Sequence, residues 1–325
     1  MKLATFEIPS AGGPVRRIGA VINDRIVDLA TAYAVHVEHV NPGSDAARIA
    51  AFFFPSDMVA FLGLGRMGLD AARHAMDAAH TTRDWHGART IHALADVHLL
   101  APVPRPPILR DFLTFEGHMK NASRALGRGD DIPRAFYEVP AYYKGVPDTV
   151  SGTGADVRVP PYTEKFDFEL ELGMVIGRRG RDISVADADA YIAGYTIWND
   201  FSARDQQMRE GPVGMGPSKG KDFDGGNAIG PYLVTADEID VSNLRMIARV
   251  NGEVWTDSTS ANRQFSFAEI IAHVSRSQTI QPGEVWGSGT VTGGSGLELG
   301  RWLHVGDVIE LEIEGIGVLR NRVVR

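Results

Sequence analysis

Phe166-Asp-Phe-Glu-Leu-Glu-Leu-Gly-Met174 is a stretch in which apolar residues alternate with acidic or small ones. Side chains of a β-strand point alternately to its two faces, so the stretch predicts a strand with one buried and one acidic face. Glu169 and Glu171 share the acidic face, with Cα atoms about 7 Å apart. At that spacing their carboxylates can converge on one cation, and Mg²⁺ and Ca²⁺ prefer such oxygen ligands. A solvated amphipathic strand without a metal would show the same pattern.

A second alternating acidic strand lies near the C-terminus and serves as an internal comparison. A hairpin centred on Ile316 would place Glu312 opposite Arg320. It would also place Glu310 opposite Arg322. Cross-strand ion pairs would therefore explain these carboxylates without a metal.

The composition is that of a globular protein and excludes several kinds of site. The chain has 325 residues, 44% of them hydrophobic, a net charge of −8 and no Cys. The acidic balance argues against a nucleic-acid-binding protein, which normally carries a basic face. The absence of Cys excludes disulfides, thiolate zinc sites, iron–sulfur clusters and cysteine nucleophiles, so any metal must be held by oxygen or imidazole. No signal peptide or membrane-length apolar run is evident, and a cytoplasmic location is expected.

Proline marks the expected domain boundary. Residues 101–107 contain four prolines, which exclude a helix or a central strand there. We therefore expect a small N-terminal α/β domain over residues 1–100 and a strand-rich domain over residues 101–325. Long β segments with few helices favour an α+β, mostly β fold, a mixed β-sandwich or roll, over a doubly wound sheet.

Two short motifs carry local predictions. Ser266-Phe-Ala-Glu269 has the spacing of a capping box and predicts a helix start. Gly63-Leu-Gly-Arg-Met-Gly68 fits the glycine pattern of dinucleotide-binding proteins, but it follows a helical stretch and not a strand. Because the required strand–turn–helix context is missing, a dinucleotide site is not expected.

Further polar residues could complete a binding site. Asp200 follows an apolar strand and could be a third carboxylate ligand, while Arg204 and Gln207 could orient an anionic substrate. An ordinary turn would explain this cluster equally well. A glycine-rich loop around Thr290 could offer backbone N–H groups and a hydroxyl to a carboxylate. His118 is a candidate base, although a lone histidine is more often a surface residue.

Taken together, these motifs and their order resemble the fumarylacetoacetate hydrolase family over residues 104–325. The matching motifs are Asp111…His118-Met-Lys-Asn-Ala, Pro140-Ala-Tyr-Tyr-Lys-Gly145, Glu169-x-Glu171, Asn199-Asp200-x-Ser-Ala-Arg204-Asp-x-Gln207, Gly220-Lys221-Asp-Phe223 and Gly287-Ser-Gly-Thr290.

The resemblance implies a mixed β-sandwich roll that holds a divalent metal, most often Mg²⁺, with Ca²⁺ or Mn²⁺ as alternatives. It also implies a homodimer that acts on a small oxo acid, without nucleic acid or membrane. The positions that match metal ligands are Glu169, Glu171, Asp200 and Asp111. His118 matches the general base, and the positions that match substrate-holding or catalytic residues are Tyr143, Arg204, Gln207, Lys221 and Thr290.

The carboxylate that orients His118 is left open by the sequence. Glu298, eight residues after Thr290, is one candidate, and Glu116, two residues before His118, is the other. The alternatives differ in distance along the chain, and the motif alignment does not decide between them.

The resemblance favours a hydrolase that cleaves a C–C bond in a 1,3-dicarbonyl acid, such as an acylpyruvate or fumarylacetoacetate, with water activated by His118. The alternative is a decarboxylase, hydratase or isomerase of 2-oxo acids on the same metal site, as in aromatic catabolism. A non-catalytic ligand-binding protein is a third possibility. The segment 120–139 contains Arg124, Arg128 and Arg134 and is either a lid that selects anionic substrates or a solvated loop.

Overall fold

The computed structural model describes residues 1–325, which form 21 β-strands and nine α-helices. The strands are β1 Lys2–Ile8, β2 Val15–Ile22, β3 Arg25–Asp28, β4 Asp84–Trp85, β5 Ala88–Arg89, β6 Ile91–Ala93, β7 His98–Leu99, β8 Leu109–Phe112, β9 Tyr142–Gly145, β10 Val150–Ser151, β11 Asp156–Arg158, β12 Phe166–Asp167, β13 Leu170–Ile176, β14 Ile192–Asp200, β15 Ser202–Ala203, β16 Asn227–Thr235, β17 Arg245–Val250, β18 Glu253–Thr259, β19 Val285–Gly287, β20 Val308–Ile313 and β21 Gly317–Val324. The helices are α1 Leu29–Val40, α2 Ala46–Phe53, α3 Met58–Gly63, α4 Arg66–Thr81, α5 Glu116–Ala125, α6 Ala135–Glu138, α7 Arg204–Glu210, α8 Phe267–Ser275 and α9 Gly296–Leu299.

Two sheets form the centre of the molecule. The larger has twelve strands, with the main order β6-β3-β2-β1-β16-β14-β13-β19-β8-β9, and the smaller has five, in the order β11-β21-β20-β17-β18. Most neighbours are antiparallel, but β8 runs parallel to β19, so the larger sheet is mixed. The expected α+β fold with a mixed β-sandwich is confirmed.

The alternation in β13 explains how the layers pack. Leu172 and Met174 are fully buried in one core with Met246 and Leu311 of the smaller sheet. Val175 points to the other side and joins a second core built largely from helices α1, α3 and α4. The larger sheet is therefore the middle layer of three, and the acidic positions of β13 lie on the face away from the smaller sheet.

The N-terminal region contributes strands to the same larger sheet. Strand β1 pairs with β16, so hydrogen bonding continues across the expected boundary at residues 101–107, which themselves carry neither helix nor strand. The division into domains 1–100 and 101–325 stays a prediction. The glycine motif 63–68 spans the end of α3 and the start of α4 and follows a helix, not a strand, as the sequence indicated. No helix combines the length and hydropathy needed to cross a membrane.

The C-terminal hairpin corrects the predicted register. Glu310 lies opposite Arg320, whereas Glu312 lies opposite Val318. The hairpin is centred on Gly315, whose φ of +78° suits glycine in a three-residue loop, and not on Ile316. Ion pairing still accounts for both carboxylates, because Glu310 contacts Arg320 at 3.4 Å and Glu312 contacts Arg249 of β17 at 2.6 Å.

The predicted capping box is confirmed. Ser266 accepts a hydrogen bond from the backbone N–H of Glu269, and the Glu269 carboxylate accepts one from the backbone N–H of Ser266. Two N–H groups at the start of α8 thereby gain partners that the helix itself cannot provide.

Candidate active site

Four carboxylates meet at one end of three interior strands of the larger sheet. Asp111 lies in β8, Glu171 in β13 and Asp200 at the end of β14, while Glu169 precedes β13 and forms an isolated bridge to Ser295. One oxygen from each carboxylate lies within 4.8 Å of the other three, and all four residues are buried. Neighbouring strands therefore bring together the four residues predicted to bind metal.

The carboxylate cluster can hold a divalent metal. Asp111 Oδ1 and Asp200 Oδ1 are buried without a hydrogen-bond partner, which is costly for a carboxylate that no cation contacts. A Cβ atom on Gly287 would lie 2.4 Å from Glu171 Oε2 and 2.7 Å from Asp111 Oδ1, so the glycine keeps space open beside these oxygens. An all-oxygen donor set suits hard cations such as Mg²⁺, Ca²⁺ and Mn²⁺.

Burial and mutual repulsion perturb the titration of the cluster. Burial, reinforced by Asp200, raises the pKa of Asp111 to about 8. Burial and Asp111 together raise the pKa of Glu171 well above its ordinary value. Burial also raises the pKa of Asp200 to about 6, although Lys221 opposes the change. The cluster therefore carries protons near neutral pH unless another cation replaces them.

Two buried, positively charged side chains, Lys221 and Arg204, stabilise the negative charge that remains on the carboxylate cluster. Lys221 Nζ donates to the carboxylates of Glu169 and Asp200 and, at 3.1 Å, to the backbone carbonyl of Asp200. Arg204 Nη2 donates to Glu169 Oε1 at 2.6 Å. Burial opposes ionisation of Glu169, but Arg204 and Lys221 overcome it and lower its pKa. Burial likewise opposes the charge on Lys221, yet Asp200 and Glu169 raise its pKa.

Asp167 is a buried residue that the sequence reasoning did not select. Its Oδ2 accepts from Arg204 Nε at 2.6 Å and from the backbone N–H of Leu297 at 3.0 Å. Its Oδ1 accepts from the N–H of Gly296 at 2.7 Å. Asp167 thus joins Arg204 to the start of α9. Its position on the same strand face as Glu169 was the available indication.

His118 and Glu298 form a hydrogen-bonded pair. His118 Nδ1 lies 2.7 Å from Glu298 Oε1, linking α5 to α9. Glu298 also accepts from Asn121 Nδ2 at 3.0 Å, from the Gly293 N–H at 2.8 Å and from Ser295 Oγ at 3.1 Å. These donors fix the carboxylate, which in turn holds the Nδ1 proton and leaves His118 Nε2 available to a ligand.

The Glu116 side chain does not contact His118. Its carboxylate pairs with Lys120 at 2.6 Å, accepts from the hydroxyl of Tyr137 at 2.8 Å, and is partly exposed. Both Glu116 and His118 lie in α5, and residues two apart on a helix do not face each other. Of the two candidates from the sequence, Glu298 is the one in contact with His118.

Tyr143 and Thr290 contact the carboxylates. The Tyr143 hydroxyl donates to Asp200 Oδ2 at 2.5 Å, and the Thr290 hydroxyl donates to Glu171 Oε1 at 3.4 Å. Gln207 Oε1 accepts from Arg204 Nη1 at 2.9 Å, which leaves the Gln207 amide N–H groups for a ligand. The substrate-binding roles of these residues stay predictions.

A cavity of about 430 Å³ joins these groups. Eight predicted site residues line it: Asp111, His118, Tyr143, Glu169, Arg204, Gln207, Lys221 and Thr290. Glu171 and Asp200 lie fully buried in the carboxylate cluster. The residues selected from separate motifs therefore belong to one site.

The predicted lid segment also contributes to the cavity. Among its three arginines, Arg128 lines the cavity. Arg124 binds Asp130, and Arg134 binds Glu138, both on the exposed surface. A lid function stays a prediction, with Arg128 as the arginine placed to meet a ligand.

Comparison with known proteins decides the family. Residues 107–324, about two thirds of the chain, match the family model described as fumarylacetoacetate (FAA) hydrolase C-terminal. The chain belongs to the fumarylacetoacetate hydrolase family. Among solved structures of the family, the fumarylacetoacetate hydrolase from Exiguobacterium antarcticum superposes with a TM-score of 0.71 at 25% identity, covering 99% of each chain.

Curated relatives correct the predicted activity. Oxaloacetate tautomerase FAHD2A, mitochondrial, from Bos taurus is 35% identical over 328 residues, covering 100% of this chain and 92% of the relative. Oxaloacetate tautomerase YisK from Bacillus subtilis (strain 168) is 31% identical over 272 residues, covering 83% and 87%. The expectation of a C–C hydrolase is therefore wrong, and the isomerase alternative is favoured. The motifs could not separate the two because both reactions use the same oxo-acid and metal groups.

Proposed function

We propose that this protein catalyses metal-dependent keto–enol tautomerisation of a 2-oxo acid. The observation that carries the proposal is the His118–Glu298 pair in the wall of the cavity that the carboxylate cluster also faces. Tautomerisation moves one proton between C3 and the C2 oxygen, without consuming water or breaking a C–C bond. One positioned proton-transfer group beside an enolate-stabilising site is therefore sufficient.

Mg²⁺ is the proposed cation, with Ca²⁺ and Mn²⁺ as alternatives. Asp111, Glu169, Glu171 and Asp200 would hold it. Such a cation supplies a Lewis acid that withdraws electron density from the 2-oxo and carboxylate oxygens of the substrate.

His118 carries the proton in this proposal. Nε2 takes the proton from C3 as the C2–C3 double bond forms, and the resulting imidazolium returns it to the C2 oxygen. The C3–H bond is broken, an O–H bond is made, and no other reactant is needed. Glu298 stabilises the transient imidazolium through its 2.7 Å hydrogen bond to Nδ1.

Gln207 is the proposed donor to the substrate oxygens. Its amide N–H groups remain available because its Oε1 is held by Arg204. The three Lys221 protons are all directed at oxygens of Glu169 and Asp200. Lys221 is therefore proposed to balance the charge of the carboxylates, and not to donate to the enolate.

The test follows the loss of ultraviolet absorbance of enol-oxaloacetate, corrected for spontaneous ketonisation, with EDTA and after adding Mg²⁺. We expect metal-restored ketonisation without pyruvate formation. Glu298→Gln should lower kcat at least about 100-fold, the scale of one general acid–base group. Glu116→Gln, the same change outside the cavity, is the matched control and should alter kcat less than twofold. Pyruvate production would indicate decarboxylation. If the decay of enol-oxaloacetate is not accelerated, the same assay is run with enol-phenylpyruvate, and no acceleration with either acid would refute the proposal.

The assembly and location are also proposed from the sequence. We propose a homodimer in the cytoplasm that binds a small oxo acid and neither nucleic acid nor membrane. Light scattering should give about twice the chain mass of 35.3 kDa. A monomeric mass at micromolar protein would contradict the dimer, and cell fractionation tests the location.

A further inference from the structure

The catalytic cavity is lined by two chemically different groups of side chains. The first group contains the carboxylates, Arg204, Lys221 and the His118 ring. The second group is an apolar wall: Met119 and Ala122 of α5, Leu126 directly after α5, Met208 of α7 and Leu297 of α9.

The apolar wall begins beside the proton-transfer group. Met119 and Ala122 stand at i and i+3 in α5, and Leu126, the residue that caps its C-terminus, stands at i+7, so the three lie along one side of the helix. His118 is four residues before Ala122 and lies on the same side. A substituent next to the carbon from which His118 takes a proton would therefore meet this wall.

A second pocket lies beside the apolar wall. This pocket measures about 350 Å³ and shares Leu126, Met208 and Leu297 with the catalytic cavity. It continues to Trp302, over whose ring Lys165 Nζ lies at 5.6 Å. The shared apolar side chains lie between the second pocket and the catalytic cavity. Because the Met208 side chain is flexible, it can move aside and give a substrate substituent more volume.

We infer that the substrate is a 2-oxo acid whose C3 carries an apolar group of aromatic size, a class represented by arylpyruvates. This rests on the proposed function, since the 2-oxo acid end would occupy the carboxylate side. A four-carbon dicarboxylate has no apolar group to gain from the wall, and its second carboxylate would lose water against Leu and Met side chains. An apolar substituent is stabilised there in proportion to the area it removes from water. The cavity volume of about 430 Å³ lies in the range that encloses ligands larger than a four-carbon acid.

Arg128 defines the competing specificity. It lines the cavity and has no carboxylate within 4.0 Å among residues 1–325, so it could bind the second carboxylate of a dicarboxylic acid. Arg128 is exposed, however, whereas Leu297 is buried in the wall. Binding through the apolar wall predicts a higher affinity for an arylpyruvate, whereas binding through Arg128 predicts a higher affinity for a dicarboxylic 2-oxo acid.

The two specificities are distinguished by calorimetry of the full-length protein in the presence of Mg²⁺. The ligands titrated are pyruvate, phenylpyruvate and 2-oxoglutarate. We expect phenylpyruvate to bind at least tenfold more tightly than either other acid. Ala122→Leu fills the wall and should lower the phenylpyruvate-to-pyruvate affinity ratio at least tenfold. Ser123→Leu adds the same bulk at the next position, outside the cavity, and should leave the ratio unchanged. Leu126→Gln makes the wall polar without filling it, and should lower the ratio if Ala122→Leu does not fold.

Each outcome decides the inference separately from the proposed function. Phenylpyruvate binding that is sensitive to Ala122→Leu, without tautomerase activity, would support the apolar site and refute the proposed function. Tautomerase activity with equal affinities for phenylpyruvate and pyruvate would refute the apolar site alone. A preference for 2-oxoglutarate that Arg128→Gln removes would also overturn it, and failure of all three probes to bind would overturn both.

Discussion

Replacing Asp111 by Asn is expected to stabilise the metal-free protein at alkaline pH. Burial raises the folded-state pKa of Asp111 from 3.8 to about 8, so its carboxyl is protonated near neutrality without metal. A carboxyl whose pKa is raised on folding contributes stability at low pH, and that contribution is lost as the pH rises through the folded value. Asn keeps the shape and cannot ionise. The stability advantage of the variant over the wild type should therefore grow as the pH rises from 6 to about 8 and stay constant at higher pH.

The size of the effect follows from the geometry of the cluster. At an effective dielectric constant of about 20, two ionised carboxylate oxygens 4.8 Å apart repel each other by about 3 kcal/mol. Removing one such repulsion from a chain of 325 residues should raise Tm by about 4 °C. Added Mg²⁺ should raise the Tm of the wild type more than that of Asp111→Asn, because the variant lacks one of the four carboxylates.

Thermal melts in EDTA and in Mg²⁺ between pH 6 and pH 9 measure both effects. Asp148→Asn provides the control, since Asp148 is an exposed carboxylate that pairs with Arg105 and does not belong to the cluster. Its Tm should follow that of the wild type at every pH. If Asp111→Asn in EDTA melts below the wild type at pH 9, or if the difference in Tm does not change between pH 6 and pH 8, the ionised Asp111 carboxylate is not repelled by its neighbours.

Three further predictions concern the metal and the scaffold. Gly287→Ala should weaken Mg²⁺ binding at least tenfold in calorimetry, with an unchanged far-ultraviolet circular dichroism spectrum, because the added Cβ would contact Glu171 and Asp111; equal affinity would contradict this. Mg²⁺ binding at pH 7 should release about two protons, from Asp111 and Glu171, measured in buffers of different ionisation enthalpy; zero release would show that both are already ionised. Ser266→Ala should cost about 1 kcal/mol of stability through loss of the capping box with Glu269, and tautomerase activity should not change.

Local periodicity was sufficient to predict parts of the fold and two members of the carboxylate cluster, Glu169 and Glu171, whereas Asp111 was selected only through the family resemblance. The alternation from Phe166 to Met174 identified both the core face of β13 and its acidic face. The capping box at Ser266 identified the start of α8. Such features depend on neighbouring residues alone, which is why one sequence reveals them.

Features that depend on long-range contacts were harder to predict from the sequence. The partner of His118 lies 180 residues away, and only the packing of α5 against α9 makes the contact visible. The hairpin register was misplaced because it depends on which residue of the loop adopts a positive φ, here Gly315. Asp167 was overlooked because its role, joining Arg204 to the start of α9, exists only in the folded chain.

The activity was mispredicted for a chemical reason that the site itself explains. Hydrolysis, decarboxylation and tautomerisation of 2-oxo acids all benefit from a cation held by carboxylates, so residues such as Glu169 and Glu171 are common to them. The reactions differ in what the proton-transfer group meets: a water molecule poised for attack, or a C3–H bond of the substrate. In this cavity the wall continuing from His118 is apolar, formed by Met119, Ala122 and Leu126. These apolar side chains would pack against a substituent on the carbon that exchanges a proton with His118, and on that side of the ring they offer a water no hydrogen bond.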